Sequence, residues 1–295
     1  MDQQEKIGLV VEGGGMKCAY NAGILDAFLD NGITFDYCIG VSGGAGNLAS
    51  YLAGQRGRNL RFFTEHIHSS DYFGIKSLLK TGNLFGLQYI YGELTNSTGK
   101  DPIDFSAIQR NPTKYQVVVT NALTGKAEYF GKEAMKQDDY RLFMASSAIP
   151  AACRPVLLRG VPYFDGGLAD AIPVRHALEE GCDRLVVILS KNRDYVRKPQ
   201  NMRPLYTALC RKYPKVISAI ENRHITYNRN FQDVFSLERD GTAFVFAPSQ
   251  PIHVGTYSMR EEDERALYAL GMEDFSRLRP ALEQFLRRQE TPVRH

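Results

Sequence analysis

The sequence has no tryptophan and only five cysteines among its 295 residues. The cysteine count is odd, no two cysteines are close in the chain, and no C-x-x-C pair occurs. This pattern argues against a disulfide framework and against a zinc site, so we expect no metal. The sequence therefore predicts reduced, buried thiols in a cytoplasmic protein at these positions: Cys18, Cys38, Cys153, Cys182 and Cys210.

Long hydrophobic runs and an excess of charge are lacking as well. No stretch reaches the roughly 18 apolar residues of a membrane-spanning helix, and the first residues lack the apolar core of a signal peptide. A formal net charge of +3, from 36 basic and 33 acidic residues, is too small and too dispersed to favour a nucleic-acid partner. We expect a cytoplasmic protein whose contact with a membrane, where it has one, is peripheral.

Short apolar runs alternate with helical patterns along the chain. Residues 7–11 form an apolar run closed by three glycines, which is typical of a buried parallel strand. The spacing over 24–29 predicts a helix, 35–39 a second strand, and 47–52 the start of a second helix. Later strands are predicted at Gln116–Thr120, Ala127–Phe130, Pro155–Leu158, Tyr163–Phe164, Leu185–Leu189 and Ala243–Ala247. These patterns predict an α/β fold with a mainly parallel central sheet and helical insertions.

No internal repeat, low-complexity tract or linker divides the chain. We therefore expect a single domain, with a core over about 5–190 and a mostly helical extension over about 200–290. The oligomeric state is not indicated by any feature of the sequence.

A glycine-rich turn follows the second predicted strand. Residues 40–44 read G-V-S-G-G and match the pattern G-x-S-x-G. In a nucleophile elbow this pattern forms a strained turn between a strand and a helix, and the glycines allow close packing. The simpler alternative is a serine that has only a structural role in the turn. The flanking strand and helix favour Ser42 as the nucleophile, with Gly40 and Gly44 as the elbow glycines.

A second glycine run, "EGGGMK" at 12–17, lies between the first strand and the first helix. It does not fit a phosphate loop, and Cys18 stands where G-x-G-x-x-G requires its third glycine. Unobstructed backbone N–H groups at the start of a helix suit a phosphate or the oxyanion of an acyl-transfer intermediate. A tight strand-to-helix connection is the simpler alternative.

A serine nucleophile needs a base. Each histidine stands in a context typical of a surface or helix residue: His66, His68, His176, His224, His253 and His295. Asp165, in "YFDGGLADAIPV", follows a predicted strand and precedes two glycines, and taken alone it starts an Asp-Gly turn.

Taken together and in this order, these motifs resemble those of the patatin-like phospholipases, a family of lipid acyl hydrolases. The resemblance covers about 5–190 and includes G-G-G-M-K at 13–17, the serine elbow, D-G-G at 165–167, and "ASSAIPAA" at 145–152. Two positions differ from the family pattern: Cys18 replaces a frequent glycine, and Ala171 replaces a frequent asparagine two residues before Pro173.

The resemblance implies a three-layer α/β/α fold and a Ser42–Asp165 dyad without histidine. It implies an oxyanion hole from the backbone N–H groups of Gly13, Gly14 and Gly15, with that of Met16 as a further candidate donor. It also implies a lipid or acyl-ester substrate and no cofactor. Lys17 is a candidate contact for a substrate phosphate, with a solvated helix-end lysine as the alternative.

Three further expectations follow. Part of residues 61–111 should line an apolar site for an acyl chain. Within it, 71–91 is either a cap or membrane-facing surface, or an ordinary buried helix with its loop. Two functional alternatives stay open: a Ser–His–Asp esterase that uses His176 or His253, and a catalytically silent lipid-binding protein on the same scaffold.

Overall fold

The computed structural model describes residues 5–252, 254–255 and 259–287. An eight-stranded sheet forms its centre. The strands are β1 (Ile7–Val11), β2 (Tyr37–Val41), β3 (Lys114–Asn121), β4 (Ala127–Gly131), β5 (Val156–Leu158), β6 (Val161–Asp165), β7 (Arg184–Ile188) and β8 (Ala243–Phe246). Strands β3, β2, β1, β7 and β8 are parallel neighbours in that order, while β4, β5 and β6 are antiparallel additions beside β3.

Helices cover both faces of this sheet. They are α1 (Cys18–Asp30), α2 (Gly43–Leu52), α3 (Arg58–Thr64), α4 (Ile75–Thr81), α5 (Phe105–Arg110), α6 (Arg141–Ser146), α7 (Val174–Glu179), α8 (Arg203–Leu209), α9 (Pro214–Arg239) and α10 (Glu261–Leu286). Side chains alternate between the faces along each strand: Leu9 and Val11 pack in the layer of α1, α2 and α10, whereas Val10 packs in the layer of α7 and α9. The fold is thus a three-layer α/β/α arrangement, as predicted.

The C-terminal part of the chain is built into the same sheet. Strand β8 pairs with β7, and α10 crosses α1 at very short range. A Cβ placed at Gly23 would lie 2.2 Å from the carbonyl oxygen of Tyr268, and one at Gly271 would lie 2.4 Å from that of Tyr20. The two glycines therefore allow the helix backbones to touch, which fixes the extension against the first helix of the core.

All predicted strands are present, with ends that differ by up to two residues. The second strand is 37–41 rather than 35–39, because Asp36 is used in the turn before it: its carboxylate accepts the N–H of Ile7 at 2.8 Å. The predicted start of the second helix at Asn47 was wrong. Helix α2 begins at Gly43, directly after Ser42, because the glycines interpreted as a turn form its first turn.

The five cysteines are all buried, free thiols. No helix of the described ranges combines the length and the apolar character needed to cross a bilayer.

Candidate active site

Ser42 occupies a strained position between β2 and α2. Its φ is 53° and its ψ is −129°, a backbone conformation that costs a non-glycine residue about 1–3 kcal/mol. Two neighbouring glycines allow this turn to pack closely, because a side chain at either position would clash with nearby backbone atoms. A Cβ at Gly40 would lie 2.7 Å from the Cα of Ala45, and one at Gly44 would lie 2.6 Å from the carbonyl oxygen of Glu12. The elbow predicted from the G-x-S-x-G pattern is therefore the local geometry observed.

The register of β3 places Asp165 beside this elbow. Strand β4 pairs along one edge of β3, and β2 and β6 share the other edge. On that shared edge β2 ends with Val41 opposite Val118, and β6 ends with Asp165 opposite Val119. Because β2 is parallel to β3 and β6 is antiparallel, their carboxyl ends meet head to head. Two residues far apart in the chain are thereby brought into contact.

The Asp165 carboxylate is buried, with 4% of the residue exposed. The Ser42 side chain lies close enough to act on it as a hydrogen-bond donor, and the Oδ1 of Asp165 accepts the N–H of Gly167 at 2.7 Å. Burial raises the pKa of Asp165 above its ordinary value, while the positive charge of Arg223 and the two hydrogen bonds act in the opposite direction. The result is a desolvated carboxylate aimed at the serine hydroxyl.

Ser146 ties the Ser42 elbow to β3 and was missed in the sequence analysis. Its Oγ accepts the N–H of Ser42 at 2.8 Å and donates to the carbonyl oxygen of Val118 at 2.7 Å. The residue is fully buried, so these bonds satisfy groups that water cannot reach. It belongs to the "ASSAIPAA" segment, whose likeness to the family signalled the region without singling out this hydroxyl.

The glycine loop passes directly against the serine. A Cβ at Gly13 would lie 2.9 Å from the Cβ of Ser42, and Gly15 has a φ of 59°, in the left-handed region that favours glycine. Within the described residues, no hydrogen bond from the N–H of Gly13, Gly14 or Gly15 to another protein group is found. These donors are therefore free to meet a ligand beside Ser42.

Two cavities of opposite character meet at Ser42. One is apolar, and its wall includes large side chains contributed mainly by residues 61–111: Phe62, Phe63, Tyr72, Phe85, Leu87, Ile90, Tyr91, Ile103 and Phe143. The other is polar and is lined by the glycine loop, Asp165 and several charged side chains. Ser42 and Gly15 line both. An amphiphilic molecule with a reactive bond between its two parts would fit this arrangement.

Comparison with known proteins identifies the family of this chain. The family model described as "Patatin-like phospholipase" matches residues 9–178, more than half of the chain. The chain belongs to the patatin-like phospholipase family. A second model, for a domain of unknown function named DUF6363, matches residues 213–287.

Two individual proteins resemble this chain as well, one in sequence and one in structure. The chain is 29% identical over 286 residues to the uncharacterized protein YjjU of Escherichia coli (strain K12), covering 91% of this chain and 76% of that protein. Among solved structures, human GIVD cytosolic phospholipase A2 in complex with methyl gamma-linolenyl fluorophosphonate superposes with a TM-score of 0.57 at 12% identity. That alignment covers 97% of this chain and 59% of the human chain, so this chain spans about three fifths of its length. The likeness shows the fold.

The aspartate loop of this patatin-like protein is braced without the frequent asparagine of the family. Ala171 is buried and lines the polar cavity. Its neighbour Asp170 accepts the hydroxyl of Tyr129 at 2.8 Å and the side-chain amide of Asn230 at 2.7 Å. Burial raises the pKa of Asp170 to about 6. Asp170 thereby ties the loop after Asp165 to β4 through Tyr129 and to α9 through Asn230.

A buried ion-pair network behind the glycine loop was also missed. The carboxylate of Glu12 accepts the N–H of Ser190 at 2.6 Å, the hydroxyl of Tyr227 at 2.8 Å and the ammonium of Lys191 at 3.4 Å. The sequence signal was a charged residue at the end of an otherwise apolar strand. Lys17 lines the same polar cavity, and burial, followed by the charge of Lys191, lowers its pKa.

No histidine within the described ranges lines either cavity next to Ser42. His176 stacks on Tyr129 with ring centroids 3.5 Å apart and shares a hydrogen bond of 2.9 Å with Gln116. His66 and His68 are paired with Asp101 and Glu261. His253 and His295 lie outside the described residues.

The segment 71–91 contributes to the wall of the apolar cavity. Tyr72, Phe85 and Ile90 are buried and line that cavity, and a role of the segment as a cap stays a prediction. Between them, α4 exposes Leu79 (82%) and Ile75 (74%) to solvent. Peripheral contact with a membrane surface stays a prediction.

Proposed function

We propose that the protein is a serine acyl hydrolase that cleaves lipid esters through a Ser42–Asp165 dyad. The observation that carries this proposal is the contact between the two side chains at the junction of an apolar and a polar cavity. In this arrangement the acyl chain occupies the apolar cavity, and the alcohol part of the ester occupies the polar one. Phospholipids and lysophospholipids are the substrates proposed first, since the family is a lipid hydrolase family.

The chemistry follows from the positions of these groups. The hydroxyl oxygen of Ser42 attacks the ester carbonyl carbon while Asp165 accepts the hydroxyl proton. The N–H groups of Gly13, Gly14 and Gly15, with that of Met16, hold the resulting oxyanion. The carbon–oxygen bond to the alcohol then breaks, and the proton on Asp165 passes to the departing oxygen. Water, activated by the same carboxylate, hydrolyses the acyl-enzyme and releases the fatty acid.

A carboxylate is a weak base toward an alcohol, since its pKa lies near 3.9 in water. Burial of Asp165 raises that pKa, which improves the match. The larger contribution must come from the oxyanion donors, each of which is typically worth about 10²–10³ in rate. The dyad therefore depends on the glycine loop more than a histidine-based triad would.

The proposal predicts that the purified protein releases fatty acid from acyl esters. We would test esters with one common acyl chain and different alcohols, namely a monoacylglycerol, two lysophospholipids and a p-nitrophenyl ester. Hydrolysis of at least one of these esters, abolished by a fluorophosphonate, is expected. A folded protein that hydrolyses none of them and binds the same lipids unchanged would instead support the silent lipid-binding alternative.

The pH dependence provides a second prediction. Asp165 acts as a base only when ionised, so activity is lost as the pH falls through its pKa. Burial raises that pKa. We therefore expect the midpoint of the acidic limb in the pH profile of kcat/KM to lie above about 3.9, the pKa of an exposed aspartate. The charge of Arg223 lowers the pKa of Asp165, so Arg223→Gln should move the limb to higher pH.

The matched control for this measurement is Arg229→Gln. Arg229 is an exposed residue of the same helix, α9, and it lies outside both cavities next to Ser42. Its replacement should leave the limb in place. A limb that stays fixed in Arg223→Gln, or moves to lower pH, would refute Asp165 as the titrating base.

A further inference from the structure

The polar cavity beside Ser42 carries an excess of positive charge. Its charged lining within the described residues comprises two carboxylates, Glu12 and Asp165, and four cations: Lys17, Lys191, Arg197 and Arg223. Lys191 is paired with Glu12 at 3.4 Å. Arg223 donates to the carbonyl oxygen of Gly167 at 2.8 Å and faces Asp165. Two positive charges are left over at the place where an alcohol leaving group would lie.

Arg197 is held in position by Asn228 and Tyr227 and not by an ion pair with a described carboxylate. Its backbone is clamped by Asn228, which accepts its N–H at 2.8 Å and donates to its carbonyl oxygen at 3.0 Å. Its guanidinium lies over the ring of Tyr227, 5.3 Å from the centroid. No hydrogen bond or ion pair from this guanidinium to another side chain is found in the described part of the chain.

The contact between Arg197 and Tyr227 also connects Arg197 with the groups beside Ser42. Tyr227, which supports the guanidinium, donates its hydroxyl to Glu12 at the start of the glycine loop. Arg197 lines the same cavity as Asp165 and Lys17, and its positive charge acts to lower the pKa of both. Arg197, Tyr227 and Asn228 all follow residue 178, where the match to the patatin-like family model ends. The features that charge this cavity therefore come in large part from the chain beyond that match.

We propose that this cavity is a subsite for a phosphate carried by the leaving alcohol, and that Arg197 is its specificity-determining residue. The inference rests on the proposed function, since it assigns the alcohol side of the same ester. A guanidinium presents paired N–H donors that match phosphate oxygens. A phosphomonoester brings about two negative charges and so balances the two excess cations. A zwitterionic head group would bring an additional cation among four others, which is unfavourable.

The experiment compares two substrates that differ only in this phosphate: 1-octanoylglycerol 3-phosphate and 1-octanoylglycerol, both as monomers. We expect kcat/KM to be at least about tenfold higher for the phosphorylated ester, because a charge-assisted hydrogen bond contributes about that much. Arg197→Gln should lower this ratio by about tenfold. Arg197→Lys should restore part of it, since the charge returns without the forked geometry. Raising the ionic strength should reduce the ratio of the wild-type protein.

Lys198→Gln is the matched control, because Lys198 is the exposed neighbour of Arg197 and does not line the cavity. It should leave the ratio unchanged. A wild-type ratio near one, or a ratio that Arg197→Gln does not alter, would overturn the subsite while octanoylglycerol hydrolysis still supports the proposed function. Inhibition by inorganic phosphate together with a ratio near one would mean that the cavity takes the free anion only, which also overturns the assignment. Absence of hydrolysis of any ester would instead refute the proposed function itself.

Discussion

Replacing Ser42 with alanine is expected to reduce ester hydrolysis at least about 10⁴-fold, to the background of the assay. The variant keeps the cavities and the glycine loop but has no oxygen to attack the carbonyl carbon. Because alanine meets the same unfavourable φ of 53° as serine, its fold should be unchanged. The measurement is the rate of fatty-acid release from an acyl ester, with the protein in saturating excess over the ester.

A glycine variant separates loss of chemistry from loss of structure. Glycine accepts a positive φ without strain, so Ser42→Gly should be inactive and melt at a higher temperature than Ser42→Ala. An inactive variant that is more stable than an equally inactive one cannot owe its inactivity to unfolding. Residual activity above one hundredth of the wild type in either variant would contradict a role of Ser42 as nucleophile.

Replacing Asp165 with asparagine should lower kcat by about 10⁴-fold while the protein stays folded. The amide is close in shape to the carboxylate but cannot accept the serine proton.

The same substitution, Asp165→Asn, should not reduce the stability of the protein, although it reduces its activity. Since burial raises the pKa of Asp165 in the folded state, the ionised side chain costs stability at all pH values above that pKa, and the cost disappears below the unfolded pKa. At pH 7 the asparagine variant should therefore be at least as stable as the wild type.

His176→Asn is the comparison that distinguishes a dyad from a Ser–His–Asp triad. His176 is engaged with Tyr129 and Gln116 and does not line either cavity beside Ser42. Its replacement should change kcat by no more than about twofold. A loss in His176→Asn as large as that in Asp165→Asn would favour the triad and would leave the dyad without support.

Local patterns in the sequence were sufficient to predict the strands and to single out Ser42 as a candidate nucleophile, whereas Asp165 became a candidate only through the resemblance to the family. The apolar runs around 7–11 and 185–189 predict parallel strands because both faces of such strands are buried, and these strands are present. The start of α2 was misjudged because glycine disfavours helix interiors in general. Here Gly44 is needed at the first turn, where only a residue without a side chain fits against the backbone of β1.

The contact between Ser42 and Asp165 was predicted only from the resemblance to a family. It depends on the end-to-end approach of β2 and β6 along β3, and pairing between distant strands leaves no local trace in a sequence. The charge of the polar cavity was not predicted for the same reason. Arg197 and Arg223 stand in stretches that resemble ordinary solvated segments, and only the packing of α9 places them beside the serine.

Covalent trapping of the nucleophile tests the central claim most directly. We would treat the folded protein with a fluorophosphonate and measure its intact mass and the modified peptide by mass spectrometry. The account predicts one adduct per chain, located on Ser42, absent from Ser42→Ala and formed much more slowly by Asp165→Asn. An adduct on a different serine, or none on folded wild-type protein, would contradict it.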